Sequence, residues 1–208
     1  YMFMRTVSTK NGLPVEKSAN FPHITSFLNK VVPANTIIIG ELYFPGKTAK
    51  DCITVTGCLP KKAIERQKDN PIHFYIHDMI YYNGESLMTT GALDRYLKVA
   101  DLYSTFLNEK GFEGSHIELA NCYKDCDLGE VALKNLSAGE EGIVMKLRDG
   151  LYYPGERPAW NTIKIKKADT VDAVIIGFVL PERDHIGSNV RWNFNINEEG
   201  NRLLGTYE

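Results

Sequence analysis

Several things are scarce in this 208-residue sequence, and each scarcity narrows what it can be. No apolar run approaches the roughly 18–20 residues that a membrane span needs, and no charged-then-apolar leader opens the chain. Neither sign of charge dominates: 24 Lys+Arg stand against 26 Asp+Glu, a formal net of −2. That balance excludes a uniformly basic, histone-like protein, but not a local basic stripe that binds phosphates. Cysteine occurs four times, at Cys52, Cys58, Cys122 and Cys126. The spacings are not those of a structural zinc site, and free thiols in a reducing cytosol are expected rather than two disulfides. Low-complexity segments and internal repeats are missing. So is a starting methionine: Tyr1-Met2-Phe3-Met4 reads like the middle of a strand, so the chain is expected to be part of a longer one.

What is present is globular: 43% hydrophobic and 24% charged residues, ordinary for a folded domain. Strand patterns alternate with a few helices, in the manner of an α+β protein built mainly on antiparallel sheet. Strands are expected at Met2–Ser8, Thr36–Leu42, His73–Tyr82, His116–Asn121, Gly142–Leu147 and Thr162–Lys166. Helices are expected from about Pro22, over Pro60–Gln67, Ala92–Asn108 and Leu128–Leu136. In Ala92–Asn108 the residues Leu93, Tyr96, Leu97, Ala100, Tyr103 and Phe106 (or Leu107) recur at three-four spacing, and Gly111 supplies a helix stop. After residue 168 the character changes to dense short strands, beginning with Val171–Ile176. A first domain is therefore expected over 1–168, and a small β-rich one over 169–208.

Four constellations could carry chemistry. In Ile163-Lys164-Ile165-Lys166, alternation places both lysines on one strand face roughly 7 Å apart. Two ammonium groups so placed suit a phosphate, although lysines also protect a solvated edge strand. Glu141, ahead of Gly142 and an apolar strand, could hold Mg²⁺ through oxygen, or be a surface acid. Glu41, behind Gly40 at the end of another apolar strand, has the same two readings. In Phe74–Ile80, alternation puts His73, Tyr75 and His77 on one face. His73 and His77 would stand about 13 Å apart along a strand, too far for a common metal, so a ring offered to a base is the better functional reading. A packed core histidine is the bland one. Gly46-Lys47-Thr48 imitates the end of a P-loop, but the required first Gly would fall at Glu41. The stretch that follows, Ala49–Ile53, shows no helical apolar pattern.

Taken in order, Thr9-Lys10-Asn11-Gly12, Gly40-Glu41-Leu42, Phe74–Asn83-Gly84, Glu141–Lys146 and Lys164-Ile165-Lys166 resemble the collinear motifs of covalent nucleotidyltransferases. The segments Phe74-Tyr75-Ile76-His77-Asp78-Met79-Ile80-Tyr81-Tyr82-Asn83-Gly84-Glu85-Ser86-Leu87 and Tyr153-Pro154-Gly155-Glu156-Arg157, the latter followed by Trp160 and the two lysines, are most similar to ATP-dependent DNA ligases. The resemblance covers about residues 1–180. It implies an adenylation domain of antiparallel sheets flanked by helices, followed by the start of an oligonucleotide-binding (OB-fold) β-barrel.

The same resemblance implies a chemistry. A lysine attacks the α-phosphate of ATP, giving lysyl-AMP; the AMP passes to a 5′-phosphate at a nick in duplex DNA, and a 3′-hydroxyl then seals the strand. Lys164 and Lys166 would neutralise the α-phosphate. Glu141, with Glu41 as a further carboxylate, would hold Mg²⁺, and Glu41 and Lys10 would contact the ribose. His77 stands where the family stacks a Phe on adenine, and Arg5 substitutes for an Arg whose usual place falls near Met2. The family's nucleophile lies in Lys-x-Asp-Gly, which does not occur in these 208 residues; by motif order it belongs just ahead of Tyr1. The intact protein is thus expected to be a monomeric ligase, cytoplasmic, or nuclear or viral according to source. RNA ligases, mRNA-capping guanylyltransferases and a non-catalytic nucleotide- or DNA-binding subunit are the alternatives.

Overall fold

The computed structural model describes residues 1–166 apart from Lys10, Arg157 and Ala159. These belong to the compact unit Tyr1–Lys167. The expected barrel over 169–208 lies outside the described residues.

The centre is a four-stranded sheet whose spine is β4 (His73–Tyr82), with β3 (Ile37–Tyr43) antiparallel along one edge. The other edge of β4 is shared. The short β5 (Glu85–Ser86) pairs with Tyr81 and Tyr82, while β6 (Ile117–Leu119) pairs parallel with Phe74–Ile76. The β4–β5 turn is Asn83-Gly84, both at positive φ (49° and 88°), as a two-residue hairpin with matching twist requires. Two small antiparallel ribbons complete the strands. β1 (Phe3–Val7) pairs with β2 (Pro14–Glu16), and β7 (Gly142–Lys146) with β8 (Thr162–Lys166).

Alternation along β4 decides which side is covered. Phe74 and Ile76 are buried, whereas His73, Tyr75 and His77 are half-exposed. The core on the covered side joins Ile72, Phe74, Ile76 and Met79 to Phe21, Ile24 and Phe27 of the α1 region (α1, Pro22–Val31), and to Val99, Leu102 and Phe106 of α4 (Ala92–Phe106). Burying each such side chain contributes about 1.5–3 kcal/mol.

Two expectations are corrected. The stretch after Thr48 is helical: α2 spans Ala49–Thr56, and α3 follows at Pro60–Arg66. Its apolar pattern is weak, but its start is well specified. Thr48 accepts from the Asp51 N–H while the Asp51 side chain accepts from the Thr48 N–H, the reciprocal arrangement of a capping box. Secondly, the buried stripe of α4 is Ala92, Arg95, Val99, Leu102 and Phe106, with Leu97 exposed. The apolar spacing pointed one position away because the stripe includes an arginine. The sheet is mainly antiparallel, as expected, with β6 a parallel neighbour of β4. The last helix among the described residues, α5 (Leu128–Ser137), starts where Asp127 accepts from the N–H groups of Gly129 and Glu130.

Candidate functional site

β3 and β4 do not run in constant register. Ile39 faces Asp78 while the next residue, Gly40, faces Ile76, which leaves His77 as an extra residue on β4. Such a bulge re-aims a side chain and is common beside active sites. The close approach is made possible by Gly40: a Cβ there would lie 2.5 Å from the Tyr75 carbonyl and 2.6 Å from the Phe74 ring. One step along β3, Glu41 is exposed opposite Tyr75. Glu41 and His77 therefore come to one neighbourhood.

His77 is half-exposed as a residue, but its Nδ1 is buried and has no hydrogen-bond partner among the described residues. Burial, then the Lys146 ammonium, push its pKa below the usual imidazole value, with Asp78 and Glu41 opposing them. Tyr75, on the same side of β4, has its phenol pushed up by burial, then by Glu118 and Glu140. His73 belongs elsewhere: its ring is hydrogen-bonded to Glu118 and packs 4.8 Å from that of His116. Among the described residues, no group of three or more His, Cys, Asp or Glu side chains could hold a metal. All four cysteines are free thiols.

Directly after His77, Asp78 organises a network that motif reading did not single out. Its Oδ1 accepts from Arg95 Nε (2.8 Å) and the Met79 N–H (2.9 Å), and its Oδ2 from Arg95 Nη2 (3.1 Å) and Lys146 Nζ (3.0 Å). Arg95 also donates from Nη1 to the carbonyls of Thr90 (2.6 Å) and Gly150 (3.1 Å), and lies 5.8 Å over the Tyr152 ring. Burial alone would raise the Asp78 pKa, but the hydrogen bonds from Arg95 and Lys146 outweigh it and hold the carboxyl below its usual range. The detectable signal was an acid directly after the alternating run, with Arg95 on the buried stripe of a helix. Through Lys146 this network ties the β7–β8 ribbon to the central sheet.

The ribbon carries the other predicted residues. Lys166 faces Gly142 and Lys164 faces Val144, and both lysines are exposed. Glu141, just ahead of Gly142, is ion-paired with Lys166. That hydrogen bond, then the charges of Lys166 and Lys164, keep the Glu141 carboxyl below its ordinary pKa. Gly142 permits this approach. Its φ is +149°, and a Cβ would lie 1.9 Å from the Ile165 carbonyl oxygen.

The predicted residues thus fall into two groups, Glu41 with His77 on the sheet and Glu141, Lys164 and Lys166 on the ribbon, with Lys146 at the ribbon's other end. Arg5 is exposed on β1, in the separate β1–β2 ribbon. Lys10 lies outside the described residues.

Residues 6–166 match the family model described as ATP dependent DNA ligase domain. A DNA ligase of Sulfolobus acidocaldarius is 25% identical over 170 residues, covering 76% of this chain and 27% of its own. A probable DNA ligase of Dictyoglomus turgidum is 30% identical over 150 residues, 66% of this chain and 22% of its own. The chain therefore spans about a quarter of the length of these relatives. Among solved structures, a mycobacterial DNA ligase D complexed with ATP and MES has a TM-score of 0.51 at 20% identity, over 76% of this chain and 46% of that one. The ligase domain of LigD from M. tuberculosis has 0.50 at 19%, over the same shares. At those identities the likeness is one of fold.

Proposed function

The chain belongs to the ATP-dependent DNA ligase domain family, and from that premise we propose that it is the nucleotide-binding part of an enzyme that seals nicks in duplex DNA with ATP. The observation that carries the reading is the pairing of two kinds of surface. One is a half-exposed ring beside an exposed carboxylate, His77 with Glu41. The other is a ribbon bearing Glu141, Lys164 and Lys166. A nucleotide needs both: an aromatic face for the base, oxygen acceptors for the ribose, and fixed cations for the phosphates.

In this reading His77 lies against the adenine. Its ring offers a flat face on which the base stacks. Glu41 accepts from the ribose hydroxyls, with Lys10 beside them and Arg5 as a further cation. Lys164 and Lys166 stand where negative charge grows on the α-phosphate, and preorganised cations lower that barrier most. Glu141 at first neutralises Lys166; a phosphate draws Lys166 away and frees the carboxylate. The donor set of Glu141 and Glu41 suits Mg²⁺, which binds one or two carboxylates and keeps most of its waters. When bound, the ion neutralises phosphate charge and orients the phosphates. The nucleophilic lysine of the intact protein comes from a Lys-x-Asp-Gly segment, absent from these 208 residues. Cations nearby depress its pKa and favour the free amine, so that lysyl-AMP and then DNA-adenylate form. The intact protein acts as a monomer on nicked duplex.

Titrating the chain with ATP and with GTP in the presence of Mg²⁺ tests this. ATP is expected to bind more tightly than GTP, and Lys164→Ala with Lys166→Ala together to weaken ATP at least about ten-fold, as loss of two charge-assisted contacts implies. No saturable binding of ATP would overturn the reading. A preference for GTP would favour a capping-type guanylyltransferase. Radiolabel from α-labelled ATP is expected to remain non-covalent with this chain; covalent label would show that another lysine is the nucleophile.

A further inference from the structure

The four cysteines are of two kinds. Cys52 and Cys58 are half-buried, and their Sγ atoms lie 3.7 Å and 3.3 Å from the carbonyls of Leu42 and Val55. Burial, then the Glu41 charge, push the Cys52 thiol up, which disfavours the reactive thiolate. Cys122 and Cys126 are exposed, in a loop whose residues 121–127 are all open to solvent. No hydrogen bond among the described residues fixes residues 121–126. Between the two thiols Asp125 bends the chain, at φ 52°, a left-handed conformation that aspartate tolerates better than most side chains. Both thiols can be reached, and the backbone between them can move without giving up a hydrogen bond.

This loop is also the tether between the two groups of the candidate site. At its start the Ala120 N–H donates to the Ile76 carbonyl at 2.9 Å, one residue before His77. The Tyr96 hydroxyl donates to the Ala120 carbonyl at 2.6 Å. At its end Asp127 caps α5, and Glu141 comes four residues after that helix. The loop passes near the sheet face that carries Tyr75 and His77: after burial and nearby carboxylates, Tyr123 also pushes the Tyr75 phenol up. The reach of residues 121–126 therefore acts on the path from His77 to Glu141.

We propose that Cys122 and Cys126 are a site of reversible oxidation, closing a disulfide that restricts this tether and weakens nucleotide binding. The effect on binding rests on the nucleotide reading above. The oxidant is a small-molecule disulfide such as oxidised glutathione. The thiolate of one cysteine attacks a glutathione sulfur, the S–S bond breaks, and one glutathione leaves as a thiol. The thiolate of the other cysteine then displaces the second glutathione. The cysteine pair gives up two electrons and two protons, and one glutathione disulfide becomes two thiols. Four extended residue steps range up to about 14 Å, whereas bridged cysteines hold their Cα atoms about 5.5–6 Å apart. A nucleotide that touches both groups needs the ribbon to settle against it, and a fixed tether opposes that adjustment.

The test equilibrates the 208-residue chain with oxidised glutathione, then weighs it and its peptides without reduction. The product is expected to be about 2 Da lighter than the reduced chain, for two hydrogens lost. Trypsin cuts after Lys124, so two peptides joined through Cys122 and Cys126 should appear. ATP affinity in Mg²⁺ should fall at least about five-fold, the lower end of ordinary coupling between sites, and dithiothreitol should restore it. The double variant Cys122→Ser, Cys126→Ser should bind ATP like the reduced parent under both conditions. Separate glutathiones on the two cysteines, bridges between chains, or a bridge to Cys52 or Cys58 would overturn the proposal. So would a Cys122–Cys126 bond that leaves ATP affinity unchanged. A reduced chain that binds no ATP would sink the nucleotide reading instead. The dithiol would then be decided by its bond and by amide exchange in the first turn of α5, which should slow on oxidation; without both, it fails too.

Discussion

The molecule contains two carboxylate–lysine pairs that look alike on paper and differ in what they can do. At the sheet, Asp78 and Arg95 are 3% and 2% exposed, and Lys146 closes the network from a half-exposed position. At the ribbon, Glu141 and Lys166 pair in the open, with side chains 78% and 49% exposed. In the first, four hydrogen bonds saturate the carboxylate, and any rearrangement would strand a buried charge. In the second, water screens the attraction and a competing phosphate or cation can separate the partners at little cost. Burial thus divides similar chemistry into a part that holds position and a part that exchanges ligands.

The most severe way to break this contrast is Asp78→Ala. It leaves the Arg95 guanidinium buried without its partner, and unfolding in urea should show a loss of about 3–5 kcal/mol. Next is Gly142→Ala. A side chain at φ +149° against the Ile165 carbonyl should cost about 1–3 kcal/mol. The damage should centre on the ribbon, read as faster amide exchange in β7 and β8 than in β4.

Acid should sharpen the contrast further. His77, His23 and His116 all have folded pKa values below the ordinary imidazole, each first because of burial. The unfolded chain therefore takes up protons first, and stability should decline as pH falls below about 6.5. His77→Phe should flatten part of that slope. Asp78 is also depressed, here because Arg95 and Lys146 overcome burial. Its contribution is present above the ordinary carboxylate pKa and is lost on acidification below about pH 4. Urea midpoints at pH 7.5, 5.5 and 3.5 would separate the two declines. The smallest effect belongs to Glu141→Gln, which should change stability by less than about 0.5 kcal/mol. Any stabilisation from that pair should fade in high salt, while the Asp78 network should hardly respond.

What was legible in the sequence follows the same division. Alternation exposes β4, because one face of a strand packed on a core must be apolar. The Ile163–Lys166 alternation likewise marks β8, and the order of the short motifs anticipates the family whose model matches residues 6–166. Three things were hidden, for separate reasons. α2 is specified by its cap more than by an apolar stripe. The α4 stripe was displaced because Arg95 occupies a buried position that apolar counting leaves blank. The bulge at His77 depends on how two strands align, and register is a property of the pair. The roles of Glu41, His77, Glu141, Lys164 and Lys166 came from motif order, and the titrations proposed above are what test them.

The divided edge of β4 has a kinetic consequence. Its Tyr81–Tyr82 end is closed by β5 across a two-residue turn, an event on the scale of roughly microseconds. Its Phe74–Ile76 end waits for β6, more than forty residues further along the chain. The Lys146 bond to Asp78 spans 68 positions. A chain emerging from the ribosome at about 5–20 residues per second would hold β3, β4 and the hairpin for seconds before either partner exists. Through that interval the Phe74–Ile76 edge offers unpaired amides and carbonyls to any other extended strand. The most vulnerable moment of this fold therefore comes during synthesis, when its central strand has one finished side and half of another.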